Sequence, residues 1–91
     1  MTPEQFGRII GRPLTIQRAQ DSDTLFWRCY YANTLFANAP RAAVSVPVIA
    51  CGPNPERARQ DFAQKIRGKY VRVIDGAGAF TEFPVPLSLS A

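Results

Sequence analysis

Histidine is absent from all 91 residues. That absence removes the side chain that most often acts as a general base at neutral pH, and with it the commonest metal ligand. It also excludes a Cys–His nucleophile pair. Cysteine is scarce, represented only by Cys29 and Cys51. They do not form a CxxC pair, and two thiols without histidine make no zinc site. Long hydrophobic runs are missing: the most apolar stretch, Ala42 to Cys51, is broken by Ser45 and Pro47 and falls far short of the ~18–20 residues that cross a bilayer. No basic-then-apolar leader opens the chain, so a cytoplasmic protein without membrane attachment is expected, its two thiols free and buried as small hydrophobes. Gly76-Ala77-Gly78 is followed by neither a Walker lysine-serine pair nor a helix, and reads as a turn. The carboxylates Asp21, Asp23, Asp75 and Glu82 fall in turns and at strand ends. No catalytic set, cofactor or metal site is expected, and the chain reads as non-enzymatic.

What is present is a composition that folds. At 46% hydrophobic and 20% charged, the chain can build one core without a staple, and its length suits a single domain over 1–91. The net charge of +4 comes from nine arginines and two lysines against seven acids. Arginine is the planar, bidentate donor that suits phosphate and carboxylate partners. The excess is spread evenly over both halves, so no basic tail exists.

The segment Cys51–Asp75 carries a full set of start and stop signals. Gly52 and Pro53 break the preceding chain, Asn54 can cap, and Pro55 suits the first helical position. Ala58, Phe62 and Ile66 form one apolar stripe, opposite Glu56, Gln60, Gln64 and Arg67. Arg57, Asp61 and Lys65 form an i, i+4 ladder along one flank. Gly68 sits where a left-handed cap is wanted, and Lys69–Asp75 alternates as a strand. Upstream, Thr2-Pro3-Glu4-Gln5 spells a capping box, opening a short helix with Phe6, Ile9 and Ile10 on one side and Gly11 at its end. Pro13–Gln20 reads as a strand, paired through the turn Gln20–Asp23 with an aromatic strand. In that second strand Leu25, Trp27, Cys29 and Tyr31 share one face, while Phe26, Arg28 and Tyr30 share the other. A third strand is expected over Ala42–Ala50, with Val44, Val46 and Val48 pointing one way and Pro47 marking an edge or bulge. Ala79–Val85 is a hairpin partner for Lys69–Asp75. Leu87–Ala91 has no anchor and is expected to fray.

The fold class is therefore α+β. A short N-terminal helix precedes a mostly antiparallel sheet of four to five strands, with one main helix on one face, in the order α-β-β-β-α-β(-β). Two binding surfaces follow. One is the sheet face with Phe26, Arg28 and Tyr30, where aromatics interleave with arginine. The other is a basic patch of Arg67, Lys69 and Arg72 at the exit of the main helix, with Arg57 and Arg59 at its start.

The segment GPNPERARQDFAQKIRGKYVRV resembles the G-x-x-P-E-x-A…A-x-K-I-x-G-K pattern of small phage- and prophage-encoded accessory proteins, whose closing Val-Pro is matched by Val85-Pro86. The order β-β-β-α-β is similar to that of HicB-type antitoxins, a partial RNase H-like fold. The phage resemblance implies a small protein in the host cytoplasm, monomeric or homodimeric, that inhibits a host complex by direct binding. A nucleic-acid-bound complex is among the implied targets, and anti-CRISPR and other anti-defence inhibitors belong to this group. Residues 3–67 are also similar in element order, α-β-β-β-α, to double-stranded-RNA-binding domains, which implies a nucleic-acid-binding module as the alternative. Where that family places a lysine cluster, this chain has Asn54-Pro55-Glu56-Arg57.

Overall fold

A computed structural model describes residues 1–90. It is α+β, with two helices and six strands in two antiparallel sheets. Helix α1 spans Pro3–Ile10; the Thr2 side chain accepts from the Gln5 N–H, the Gln5 side chain accepts from the Thr2 N–H, and Gly11 ends the helix at φ 74°. Strands β1 (Leu14–Asp21) and β2 (Thr24–Tyr31) form the expected hairpin, continuous in register from Leu14↔Tyr31 to Asp21↔Thr24. Ser22, at φ 52°, supplies the left-handed residue that a two-residue hairpin loop requires.

The chain then departs from the expected third strand. After a tight turn at Ala32-Asn33, β3 (Thr34–Ala37) leaves the first sheet and joins β5 (Tyr70–Ile74) and β6 (Phe80–Pro84) in a second. Residues 42–49 are not a strand. They run as an extended strap fixed to the edge of β3 by one bridge, in which the Phe36 N–H donates to the Val46 carbonyl (2.7 Å) and the Val46 N–H donates back (2.9 Å). Only Ala50–Gly52, β4, returns to pair with β2. Pro47 lacks the N–H a ladder needs, and Val44 and Val46 stay 74% and 51% exposed rather than facing a core. The element order of a double-stranded-RNA-binding domain is therefore not reproduced, since four strands in two sheets separate the helices.

Helix α2 (Pro55–Ile66) starts as its sequence dictates: the Asn54 side chain accepts from the Arg57 N–H at 2.9 Å and Pro55 opens the first turn. It lies over β2 and β4 and touches β1 less. Gly52 makes this contact possible, because a Cβ there would stand 2.7 Å from the Ala58 nitrogen. Ala58, Phe62 and Ile66 are fully buried, and so is Ala63. Phe62 is the centre of the core, with the rings of Tyr31 (5.0 Å) and Phe36 (6.3 Å) against it edge-on, one from each sheet. The buried Tyr31 hydroxyl donates to the Pro3 carbonyl at 2.6 Å, so α1 is tied to the same cluster. The Arg57–Asp61–Lys65 ladder makes no ion pair among the described residues. Cys29 is buried and Cys51 exposed, on opposite faces of the first sheet, so only one thiol is a core residue.

The C-terminal segment is anchored, against the expectation for 87–91. Leu89 is 1% exposed within the core, its carbonyl accepts from Arg67 Nε at 2.6 Å, and the Ser90 N–H donates to the Met1 carbonyl at 2.8 Å. Ala91 lies outside the described residues. Leu89→Ala is accordingly expected to cost about 2–5 kcal/mol in urea unfolding. A frayed tail would give a change within about 0.5 kcal/mol.

Candidate functional site

In an antiparallel pair, residues opposite one another share a face. The register therefore divides the first sheet cleanly. Tyr31, Cys29 and Trp27 look toward α2 with Leu14 and Ile16 beside them; Tyr30, Arg28 and Phe26 look outward beside Thr15, Gln17 and Ala19. All three outward residues are half-buried, and Cys51 stands opposite Arg28 on β4. The Arg28 Nε is shielded from solvent and has no hydrogen-bond partner among the described residues.

This face continues into an apolar groove of about 370 Å³ where the two sheets meet. Tyr30 forms one wall, Leu35 and Ile74 of the second sheet another, and Pro47, Val48 and Ile49 of the strap the third. A second groove of about 300 Å³ follows on the far side of the strap, lined by Val44, Val46, Phe36 and Lys69. Val44, Val46 and Ile49 are the exposed ridge between them, with Ile49 47% exposed. Tyr30 and Ile49 thus share the first groove, and Val44 and Val46 line the second.

The strap is held in place by Arg72. On β5, Arg72 has Leu35 and Glu82 as its cross-strand neighbours. Its guanidinium donates from Nε to Glu82 Oε2 (3.0 Å), from Nη1 to Ser45 Oγ (3.3 Å) and from Nη2 to the Ala42 carbonyl, and it lies 4.8 Å from the Phe80 ring centroid. Glu82 also accepts from the Arg41 N–H at 3.1 Å. Arg72 is consequently 7% exposed and belongs to the support of the surface, not to a displayed basic patch.

The other basic residues are similarly dispersed. Arg59 makes a two-pronged ion pair with Glu4, Nε to Oε2 at 2.8 Å and Nη2 to Oε1 at 2.9 Å, which clamps α2 to α1. Arg67 holds the C-terminal segment through Leu89. Arg57 is exposed on α2, and Lys69 lines the second groove. Burial pushes the Cys29 thiol up to about 12 and raises the Tyr31 phenol, so both stay neutral packing groups. Asp75 caps its turn by accepting from the N–H groups of Ala77 (2.8 Å) and Ala79 (3.1 Å). Among the described residues, no group of three His, Cys, Asp or Glu is placed to hold a metal, and no helix is long and apolar enough to cross a membrane. The strap and its ridge escaped the sequence pattern, because alternating valines read as a strand; Pro40 and Pro47 were the signals against it.

Two carboxylates acquire a pH dependence. The hydrogen bonds from Arg59 and from Arg72 hold the carboxyls of Glu4 and Glu82 below the usual carboxylate range. Their contribution to stability is complete above about pH 4.3, where an unfolded carboxyl titrates, and is lost as pH falls through the lower folded-state values. Glu4→Gln/Glu82→Gln is expected to lower the urea midpoint at pH 7 and to flatten its fall between about pH 5 and pH 2. An acid slope equal to that of the unaltered protein would contradict these pairings.

Comparison of the chain with protein-family models, with curated proteins and with solved structures finds no match.

Proposed function

We propose that this is a non-enzymatic binding protein that engages a protein partner through the surface running from Phe26, Arg28 and Tyr30 across the first groove to Val44, Val46 and Ile49. The observation that supports this reading is the ridge itself. Three branched aliphatic side chains on one short segment are left in water, yet the segment is fastened from beneath by a buried arginine. Large exposed apolar patches mark interaction sites, and a patch on a fixed support loses little entropy on docking. Tyrosine and arginine beside it are the residue types that dominate binding hot spots.

The resemblance of residues 52–73 to phage accessory proteins directs the proposal at a host complex, with inhibition of a defence system by direct occlusion as the biological role. The resembling residues build α2, which supports the first sheet from behind, and most of β5; in this reading the outward face meets the target.

The test is capture from a bacterial lysate carrying an active defence system, with the unaltered protein beside Tyr30→Ala, Val44→Asp and Arg57→Ala. A stoichiometric protein partner is expected, weakened at least about thirtyfold by Tyr30→Ala or Val44→Asp and retained by Arg57→Ala. The reading fails if no partner is captured, or if Val44→Asp binds as well as the unaltered protein.

A further inference from the structure

The sheets expose four outer strands, and three of them are blunted. β4 is three residues long, β3 is bridged by the strap at Val46, and β6 is five residues ending at Pro84. The fourth, β1, runs for eight residues without proline, glycine or bulge. It has no neighbour on its outer side. Its protection is limited to the charges of Arg18 and Asp21.

The hairpin register shows which backbone groups are free. In a two-residue hairpin the closing pair, here Asp21–Thr24, exchanges both backbone hydrogen bonds, and the pattern alternates from there. Ala19, Gln17 and Thr15 therefore bond to β2, while Leu14, Ile16 and Arg18 turn their N–H and C=O groups outward. No other backbone or side-chain group among the described residues bonds to them. Leu14 and Ile16 are also only half-buried, because α2 lies over β2 and β4 and leaves the inner face of β1 partly open.

We infer that β1 pairs antiparallel with β1 of a second copy of this chain, about a two-fold axis at Ile16. Charge selects that register. An axis at Arg18 would set two guanidinium groups directly opposite, and one at Gln17 would set them diagonally adjacent. The axis at Ile16 places each Arg18 opposite the partner's Leu14, and separates the two arginines by about 13 Å along the strands, beyond the screening length at physiological salt. Ile16 then faces the partner's Ile16, and the aliphatic stem of Arg18 covers the partner's Leu14 while its charge stays in water. The outward groups of Leu14, Ile16 and Arg18 find partners in both chains. The two three-stranded sheets become one, and two copies of the Phe26–Arg28–Tyr30 face lie side by side, available to a target with two matching sites.

The contact is small, so a dissociation constant in the micromolar range is expected. Sedimentation equilibrium from about 1 μM to about 1 mM should show the mass rising to twice that of the chain. Amide exchange at Ile16 and Arg18 should slow as the dimer forms, while Gln17, already bonded to β2, stays protected throughout. Arg18→Pro removes an outward N–H without breaking the hairpin and should weaken dimerisation at least about tenfold. Ile16→Lys, which sets two like charges on the axis, should do the same and serves if the proline variant does not fold. Three results would overturn the inference: a monomer throughout the range, a dimer in which the Ile16 and Arg18 amides exchange as they do in the monomer, or an Ile16→Lys dimer of unchanged affinity.

Discussion

The surface assigned to binding depends on one buried guanidinium. Arg72 sits in the middle of the second sheet with the strap drawn over it, and its donors reach three residues in two parts of the chain: Glu82 on the neighbouring strand, and Ser45 and Ala42 in the strap. Without it, residues 38–49 would be held by the Phe36–Val46 bridge, the Arg41–Glu82 contact and the packing of Val48 against the core. A buried ion pair of this kind adds little net stability, because desolvation of both charges offsets most of their attraction. What it supplies is position. An aliphatic segment that would otherwise collapse onto any apolar surface is held with Val44, Val46 and Ile49 facing solvent.

The core serves the same division. Phe62 receives an aromatic ring from each sheet, so α2 locks two small sheets into one body and leaves their outer faces free to meet at the groove beside Tyr30. Along β2 the alternation of side chains does the sorting residue by residue: Tyr31 and Cys29 close the core, Tyr30 and Arg28 build the surface. The core and the proposed binding surface are therefore separate faces of one strand. A change at Tyr30 can alter binding without opening the core.

Local chemistry was legible in the sequence wherever a signal and its partner lie within a few residues. The capping box Thr2–Gln5, the Asn54 cap, the Ala58–Phe62–Ile66 stripe and both hairpins are all of this kind. Long-range partnerships were not legible. Arg59 reads as a free surface cation until α1 brings Glu4 against it from 55 positions away, and nothing around Arg72 announces contacts 27 and 30 residues upstream. Leu89 looked unanchored because its partners, Arg67 and the core, are assembled only by the fold. The strap misled in a different way, since V-S-V-P-V has the period of a strand and the proline that prevents one. Val44 and Val46 mark the outer surface instead, while Val48 packs against the core.

Whether Arg72 fixes the strap, and with it the proposed binding ridge, is read from backbone amide exchange at Phe36 and Val46 in Arg72→Met/Glu82→Gln. The paired change avoids leaving a carboxylate without its arginine. Release of the strap predicts that both amides, which bond only to one another's carbonyls, exchange at rates typical of a loop, while the amides of α2 and of the β1–β2 hairpin keep their protection. Unchanged protection at Val46 would contradict the claim, because the strap would then be held by something other than Arg72.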